Sequence, residues 1–347
     1  MIGKIKKIVN SVTGKIDLPV TITQAVIDAD SGKTQNEINK ELAEAVGGVA
    51  PVNALSYSGK EIPLSKEERK LVCKHICTKY FVGNIGETWV NSICIVDDMM
   101  FVGFNGGKII RLSMHAVERG NATVLQVYSI ESTYHCNNMS VHRRNGKTYL
   151  LVSKCVANDS ECYVGELSSS YALSKVCTIK YNGTLMNPVY NRCIDWVVDD
   201  EHGYLYAHGY KEKVKESDGD GTAVHQYVRF SMPELTGTNI TLTDEDVIHD
   251  ISFRSNNNFQ AVVIKNNYIY AQTSRLWHSA GDRETLDVVD TATGDIVSQV
   301  DLTHLGREQE GIAYYNGHIY FCIHKAEKVG GVDKNLADVH IYKLSAV

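Results

Sequence analysis

The sequence predicts an all-β chain, a five-bladed β-propeller preceded by a small, mostly helical and extended N-terminal anchor. Three observations carry that prediction. Gly, Asn and Asp punctuate short runs rich in Val, Ile and Tyr, with only five prolines in 347 residues, which is the texture of many short strands. A strand-turn-strand unit recurs five times, at 90–101 (VNSICIVDDMMF), 137–149, 194–206, 259–270 and 309–320 (QEGIAYYNGHIY). Each copy continues through a polar loop into a third strand, and every copy but the last has a run suited to a fourth. A single four-stranded unit cannot bury both of its faces, so five of them close into a ring.

Taken in order, residues 1–60 form the N-terminal segment, read as suited to oligomerisation. It moves from a strand-like DLPVTIT into a helix-like stretch ending at Gly47-Gly48, where Ile38, Leu42 and Val46 fall at i, i+4 and i+8. That narrow apolar stripe suits packing against another chain or docking against its own propeller, and homo-oligomerisation is expected. Residues 61–83 follow as a linker. Ser65 and Glu68 have the spacing of a capping box, which predicts a helix over 65–74. Cys77–Gly83 (CTKYFVG) is the candidate strand that completes the last blade, and a helix running from Ser65 through Tyr80 is its rival. The propeller is assigned to 84–347, with third strands at KIIRLSMH, CYVGELSS, VHQYVRFS, TLDVVDTATG and VHIYKLSA. Fourth strands are expected at TVLQVYSI, KVCTIKY, TNITLT and DIVSQVDL.

Composition excludes several functions. Charged residues make up 22% with a formal net charge of -6, so no basic face for nucleic acid is expected. No apolar run approaches a membrane span or a signal peptide, and the chain reads as folded in a reducing cytosol without membrane insertion. Nine cysteines occur without a C-x-x-C pair, which suggests buried thiols rather than a zinc ribbon or a disulfide framework. No G-x-S-x-G elbow, phosphate loop, H-E-x-x-H motif or dinucleotide fingerprint is present, and no cofactor or metal is expected beyond a candidate cation at the axis.

The five repeats also share a polar position near the start of the first strand: Asn91, Asn138, Asp195, Gln260 and Glu310. Innermost strands line a propeller axis, so these residues are expected to form one ring, able to hydrogen-bond a sugar, to ligate a cation, or merely to line water. Asp195 and Glu310 are also the two carboxylates that a glycoside hydrolase would need. In the loops beside the ring, Trp277 and His278 form a candidate sugar platform. Asp218 and Asp220 lie in a loop that lacks the terminal Glu of a calcium site, and His135, His304 and Arg307 flank strand entrances.

The stretches FQAVVIKNNYIYAQTSRLW and LDVVDTATGDIVSQVDLTHLGREQEGIAYYNGHIYF resemble five-bladed propellers of the phage receptor-binding and teichoic-acid-biosynthesis type. DLPVTITQAVIDADSGKTQNEINKELAE looks like the leader segments of tail-fibre and appendage proteins from phages of gut Bacteroidetes. This resemblance implies a virion protein assembled in the bacterial host cytoplasm. Residues 1–60 would dock to other virion proteins, and the propeller would bind a host cell-surface glycan. A carbohydrate-active hydrolase and a bacterial scaffold propeller are the alternatives.

Overall fold

The computed structural model describes residues 71–346, apart from 87, 157–158, 187–193, 214–221, 257–258, 274–283, 306–307, 325–326, 330–331 and 335–336. The anchor, the cap at Ser65, Asp218, Asp220, Trp277, His278 and Arg307 lie outside the described residues. What is described is an all-β five-bladed propeller. Strand β1 (Leu71–Tyr80) comes first, followed by a one-turn helix α1 (Val82–Ile85). Blade 1 contains β2 (Val90–Val96), β3 (Met99–Phe104), β4 (Lys108–Ser113) and β5 (Val124–Ser129), with helix α2 (Met114–Glu118) before β5. Blade 2 contains β6 (Met139–Arg144), β7 (Lys147–Ser153), β8 (Cys162–Leu167) and β9 (Leu173–Tyr181). Blade 3 contains β10 (Asp195–Asp199), β11 (Tyr204–Lys213), β12 (Thr222–Ser231) and β14 (Val247–Asn256), with β13 (Ile240–Leu242) between the last two. Blade 4 contains β15 (Phe259–Lys265), β16 (Tyr268–Thr273), β17 (Thr285–Asp290) and β18 (Ile296–Asp301). Blade 5 contains β19 (Gln309–Tyr315), β20 (His318–His324) and β23 (Asp338–Ala346), with a small hairpin of β21 (Glu327–Val329) and β22 (Val332–Lys334) between β20 and β23.

Two expectations are corrected. Leu71–Lys74 are extended, not helical: β1 is hydrogen-bonded to β23 as the outermost strand of blade 5, which also removes the rival helix through Tyr80. A sheet edge needing a partner outweighs a local capping signal. The closing strand starts earlier than Cys77–Gly83 and stops at Tyr80, where α1 begins. The second correction concerns TNITLT, which is not the fourth strand of its own blade. Its Ile240–Leu242 pair in parallel with Ile179–Tyr181 on the edge of blade 2, and β14 takes the fourth place in blade 3.

Hydrophobic clusters sit between blades rather than within them. Cys77 and Phe81 pack with Val102, Phe104, Tyr320 and Ile341, so the segment around β1 ties blade 5 to blade 1. Leu151, Val164, Trp196 and Phe230 join blades 2 and 3, and Tyr227, Phe253, Val262 and Ile269 join blades 3 and 4. Closure of the ring is thus driven by burial of apolar faces that each blade presents to its neighbour. The eight cysteines among the described residues are free thiols. Burial pushes the Cys136 thiol up to about 12, which keeps it protonated.

The innermost strands β2, β6, β10, β15 and β19 touch in that cyclic order around the axis. Their tight turns to the second strands gather at one end, called the hairpin end. Their first residues gather at the other, the entry end. Gly311 shows how close two blades come there: a Cβ on it would lie 2.5 Å from the backbone nitrogen of Ile93 and 2.8 Å from the carbonyl carbon of Ser92.

Candidate functional site at the entry end of the axis

The polar position in each repeat is placed by the backbone in two ways. In blades 1, 4 and 5 the ladder between first and second strands skips a residue, and the extra residues are Asn91, Gln260 and Glu310. A β-bulge re-aims the side chain it carries, so three blades use one device to turn a polar group out of the packed face. Blades 2 and 3 have no such bulge. Asp195 opens its strand in regular register opposite His208, and Asn138 stands just before β6, its carbonyl accepting the Ser153 N–H at 2.9 Å.

The five residues are brought together with three that the sequence reading did not place in the ring. Asn91 donates from its amide to the carbonyl of His135 and lies 3.3 Å from the ring Nδ1 of that residue. His135 is in turn hydrogen-bonded to the side chain of Asn137. Asn137 Nδ2 donates to both carboxylate oxygens of Asp195, at 3.2 and 3.1 Å, and to the carbonyl of Gln260 at 3.1 Å. Gln260 Nε2 donates to Glu308 Oε1 at 2.5 Å, and Glu308 shares a hydrogen bond with Glu310. One network therefore runs from blade 1 to blade 5. Asn138 closes the axis beneath it: Nδ2 donates to the Trp196 carbonyl at 2.9 Å, while Oδ1 accepts the Val262 N–H at 3.3 Å.

Burial sorts these groups by role. Asn91 and Asn138 are 1% exposed, Asp195 3% and Glu310 5%. Half-buried, by contrast, are Trp89, His135, Gln260 and Glu308, and Trp89 lies edge-on against His324 with ring centroids 4.3 Å apart. The partly accessible side chains of the network are thus an imidazole, an amide and a carboxylate, and the Trp89 indole stands beside them against His324, whose backbone N–H donates to the Glu308 carbonyl at 3.0 Å.

Burial raises Glu310 well above the usual carboxylate range, and the adjacent Glu308 charge and their hydrogen bond raise it further. Two carboxyl groups in contact cannot both ionise cheaply, so the pair favours a shared proton and Glu310 is the member pushed toward its protonated form. Burial also lowers His135, opposed by its bond to Asn137, which leaves a neutral imidazole. The site combines neutral donors and acceptors with one half-buried carboxylate and one half-buried indole, the chemistry that suits a polyhydroxylated ligand. Among the described residues no group of three His, Cys, Asp or Glu is arranged to hold a metal ion.

His135 was singled out in the sequence as flanking a strand entrance. Asn137, Glu308 and Trp89 were not, although each is a polar or aromatic residue within three positions of a ring member. His304 lies in a short turn at Thr303–Leu305.

No protein-family model and no curated protein matches the sequence. Solved structures do. A tail fibre of Staphylococcus aureus phage P68 is 14% identical, with a TM-score of 0.48 over 89% of this chain and 56% of that one. The chain thus spans about half the length of that fibre. Glutaminyl cyclase from Myxococcus xanthus is 13% identical, with a TM-score of 0.45 over 81% of this chain and all of that one. BamB from Moraxella catarrhalis is 13% identical, with a TM-score of 0.31 over 72% of this chain.

Proposed function

We propose that the chain is a non-enzymatic phage virion protein of the tail- or head-fibre type, whose propeller binds a host-surface glycan at the entry end of the axis. Residues 1–60 would attach it to other virion proteins and bring copies together. The observation that carries this reading is the half-buried set Trp89, His135, Gln260 and Glu308 at the entry end, beside the buried Glu310. An aromatic face with convergent donors and acceptors is how proteins hold a sugar ring while leaving it intact. The likeness of the repeats and of the leader segment to phage appendage proteins supports the virion setting.

The test is a glycan array followed by calorimetry on the best ligand. Binding without product release, weakened at least about tenfold by Trp89→Ala and Gln260→Ala, is the expected result. No bound glycan, or equal affinity in both variants, would sink it. For the virion setting, mass spectrometry of purified particles decides against a bacterial scaffold propeller.

One observation favours a hydrolase instead. Glu310 is a carboxyl group that burial and the adjoining Glu308 push toward its protonated form, the kind of group that donates a proton to a leaving oxygen in glycoside cleavage, with Asp195 in the same network. Turnover abolished by Asp195→Asn and by Glu310→Gln would establish that reading.

A further inference from the structure

The hairpin end of the axis carries a separate constellation that the glycan reading does not use. A cavity of about 500 Å³ opens there, lined by residues of all five innermost strands and their turns. It is large enough for a small ligand or the end of a long side chain. Its wall is mixed: Ser140 lines it together with Ile95, Val141 and Val263, which are only half-buried, whereas their neighbours Val96 and His142, outside the lining, are buried. The exposure of these three is to the cavity.

Charge is confined to the mouth and crosses from blade to blade. Arg143 of blade 2 lies 3.2 Å from Asp97 of blade 1 and 3.8 Å from Asp200 of blade 3. Lys265 of blade 4 lies 3.4 Å from Glu201 of blade 3, and Tyr315 of blade 5 donates to Asp98 of blade 1. Asp199 is held by His202 at 2.8 Å. Four carboxylates thus line the cavity against two permanent cations, Arg143 and Lys265, and both cations already face carboxylates of an adjoining blade. Burial opposes ionisation of Asp200, but hydrogen bonds from His142 and from the Arg143 N–H, with the charges of both, hold it below the usual carboxylate range.

An anion entering this mouth would have to break pairs that link blades, whereas a cation would share carboxylates that, although paired, outnumber the permanent cations four to two on a concave wall. Beneath the rim an aliphatic chain can lie along Ile95, Val141 and Val263, as a lysine stem lies along apolar surface. We propose that the hairpin end is a second binding site, for an ammonium or guanidinium group carried on an aliphatic stem. Two sources share that chemistry, a free alkylamine or polyamine and a lysine or arginine side chain of a partner protein.

The experiment is calorimetry or chemical-shift titration on the full chain with hexylammonium, using hexanoate and hexanol as matched probes of the same length and a blocked lysine peptide as the side-chain arm. Hexylammonium is expected to bind at least about tenfold more tightly than hexanoate, with affinity falling as salt rises. Binding of hexylammonium alone assigns a free amine, and binding of the peptide as well assigns a partner's side chain. Removing rim charge with Asp97→Asn and Glu201→Gln, both on exposed turns, should weaken the cation about tenfold and leave hexanol unchanged. Val263→Phe should block all three hexyl probes, and if it fails to fold the two rim variants still decide. Equal binding of hexanoate and hexylammonium, no binding at millimolar concentration, or indifference to the rim variants would overturn the proposal. Because Trp89 and Gln260 lie at the opposite end, their variants leave this binding intact, and the two sites fail independently.

Discussion

The side-chain oxygen of Asn138, in blade 2, accepts the backbone N–H of Val262, in blade 4, while its amide nitrogen donates to the Trp196 carbonyl of blade 3. Blades 2 and 4 are not neighbours in the ring, so one asparagine spans the axis.

Replacing Asn138 by Ala leaves a buried N–H and a buried C=O without partners. A loss of about 2–4 kcal/mol is expected, read from urea denaturation midpoints. Asn138→Asp should be as damaging, since it places an acceptor against the Trp196 carbonyl. A loss below about 0.5 kcal/mol in both variants would show that the axis is held in some other way.

Glu310 makes stability depend on pH in a definite direction. Its pKa is raised in the folded state, so its contribution is fully present below the usual Glu value. It is lost as pH rises through the folded value, because ionisation then favours the unfolded chain. Glu310→Gln keeps a neutral donor facing Glu308 and removes the proton. Melting temperatures measured from mildly acidic to alkaline pH should fall more steeply for the parent than for the variant. Parallel curves would contradict a protonated Glu310.

Gly311 and Gly317 are predicted to fail for different reasons. At Gly311 a methyl group meets the backbone of Ile93 and Ser92, neither of which can move without separating blades 5 and 1. Gly317 has open space but a φ of +79°, following Asn316 at +48° in the hairpin turn. Gly311→Ala should cost about 1–3 kcal/mol or more, and Gly317→Ala about 1 kcal/mol, in the same denaturation assay. The reverse order would count against the close approach of the two blades.

Phe81 reports on closure. Fully buried, it packs edge-on to Phe104, and its N–H donates to the Ala337 carbonyl at 3.1 Å. Phe81→Ala should cost about 3–5 kcal/mol. Hydrogen exchange should quicken in β1 and β23 before it does in β10, and uniform acceleration through the ring would argue against a local closure.

The repeat was legible because each blade writes the same alternation and the same turn residues into its first two strands. The polar ring was legible for the same reason, since Asn91, Gln260 and Glu310 sit on one repeated bulge. Asn137 and Glu308 escaped because they have no counterpart in the other blades: their partners Asp195 and Gln260 come from other blades, and no periodicity records that. Ile240–Leu242 reads as a strand, but its pairing with β9 is parallel and lies across a blade boundary, which alternation does not encode. The capping spacing at Ser65 pointed to a helix through Lys74, whereas Leu71–Lys74 belong to β1, which pairs with a strand that follows in sequence by more than two hundred residues. The cavity at the hairpin end was hidden because its charged residues occupy turns or the strand ends beside them, where polar side chains are ordinary.

The pairing of β1 with β23 also sets the order in which the protein can be completed. Thr78 reaches His340 at 3.0 Å across a separation of 262 residues. During synthesis β1 emerges early and must wait, an unpaired strand, until all five blades have been made. Contacts so distant along the chain form late and slowly. Until then the fifth blade has an open edge and Cys77 and Phe81 have no finished cleft to enter, so the interval between the first strand and the last is when a nascent chain is most exposed to mispairing with another copy of itself.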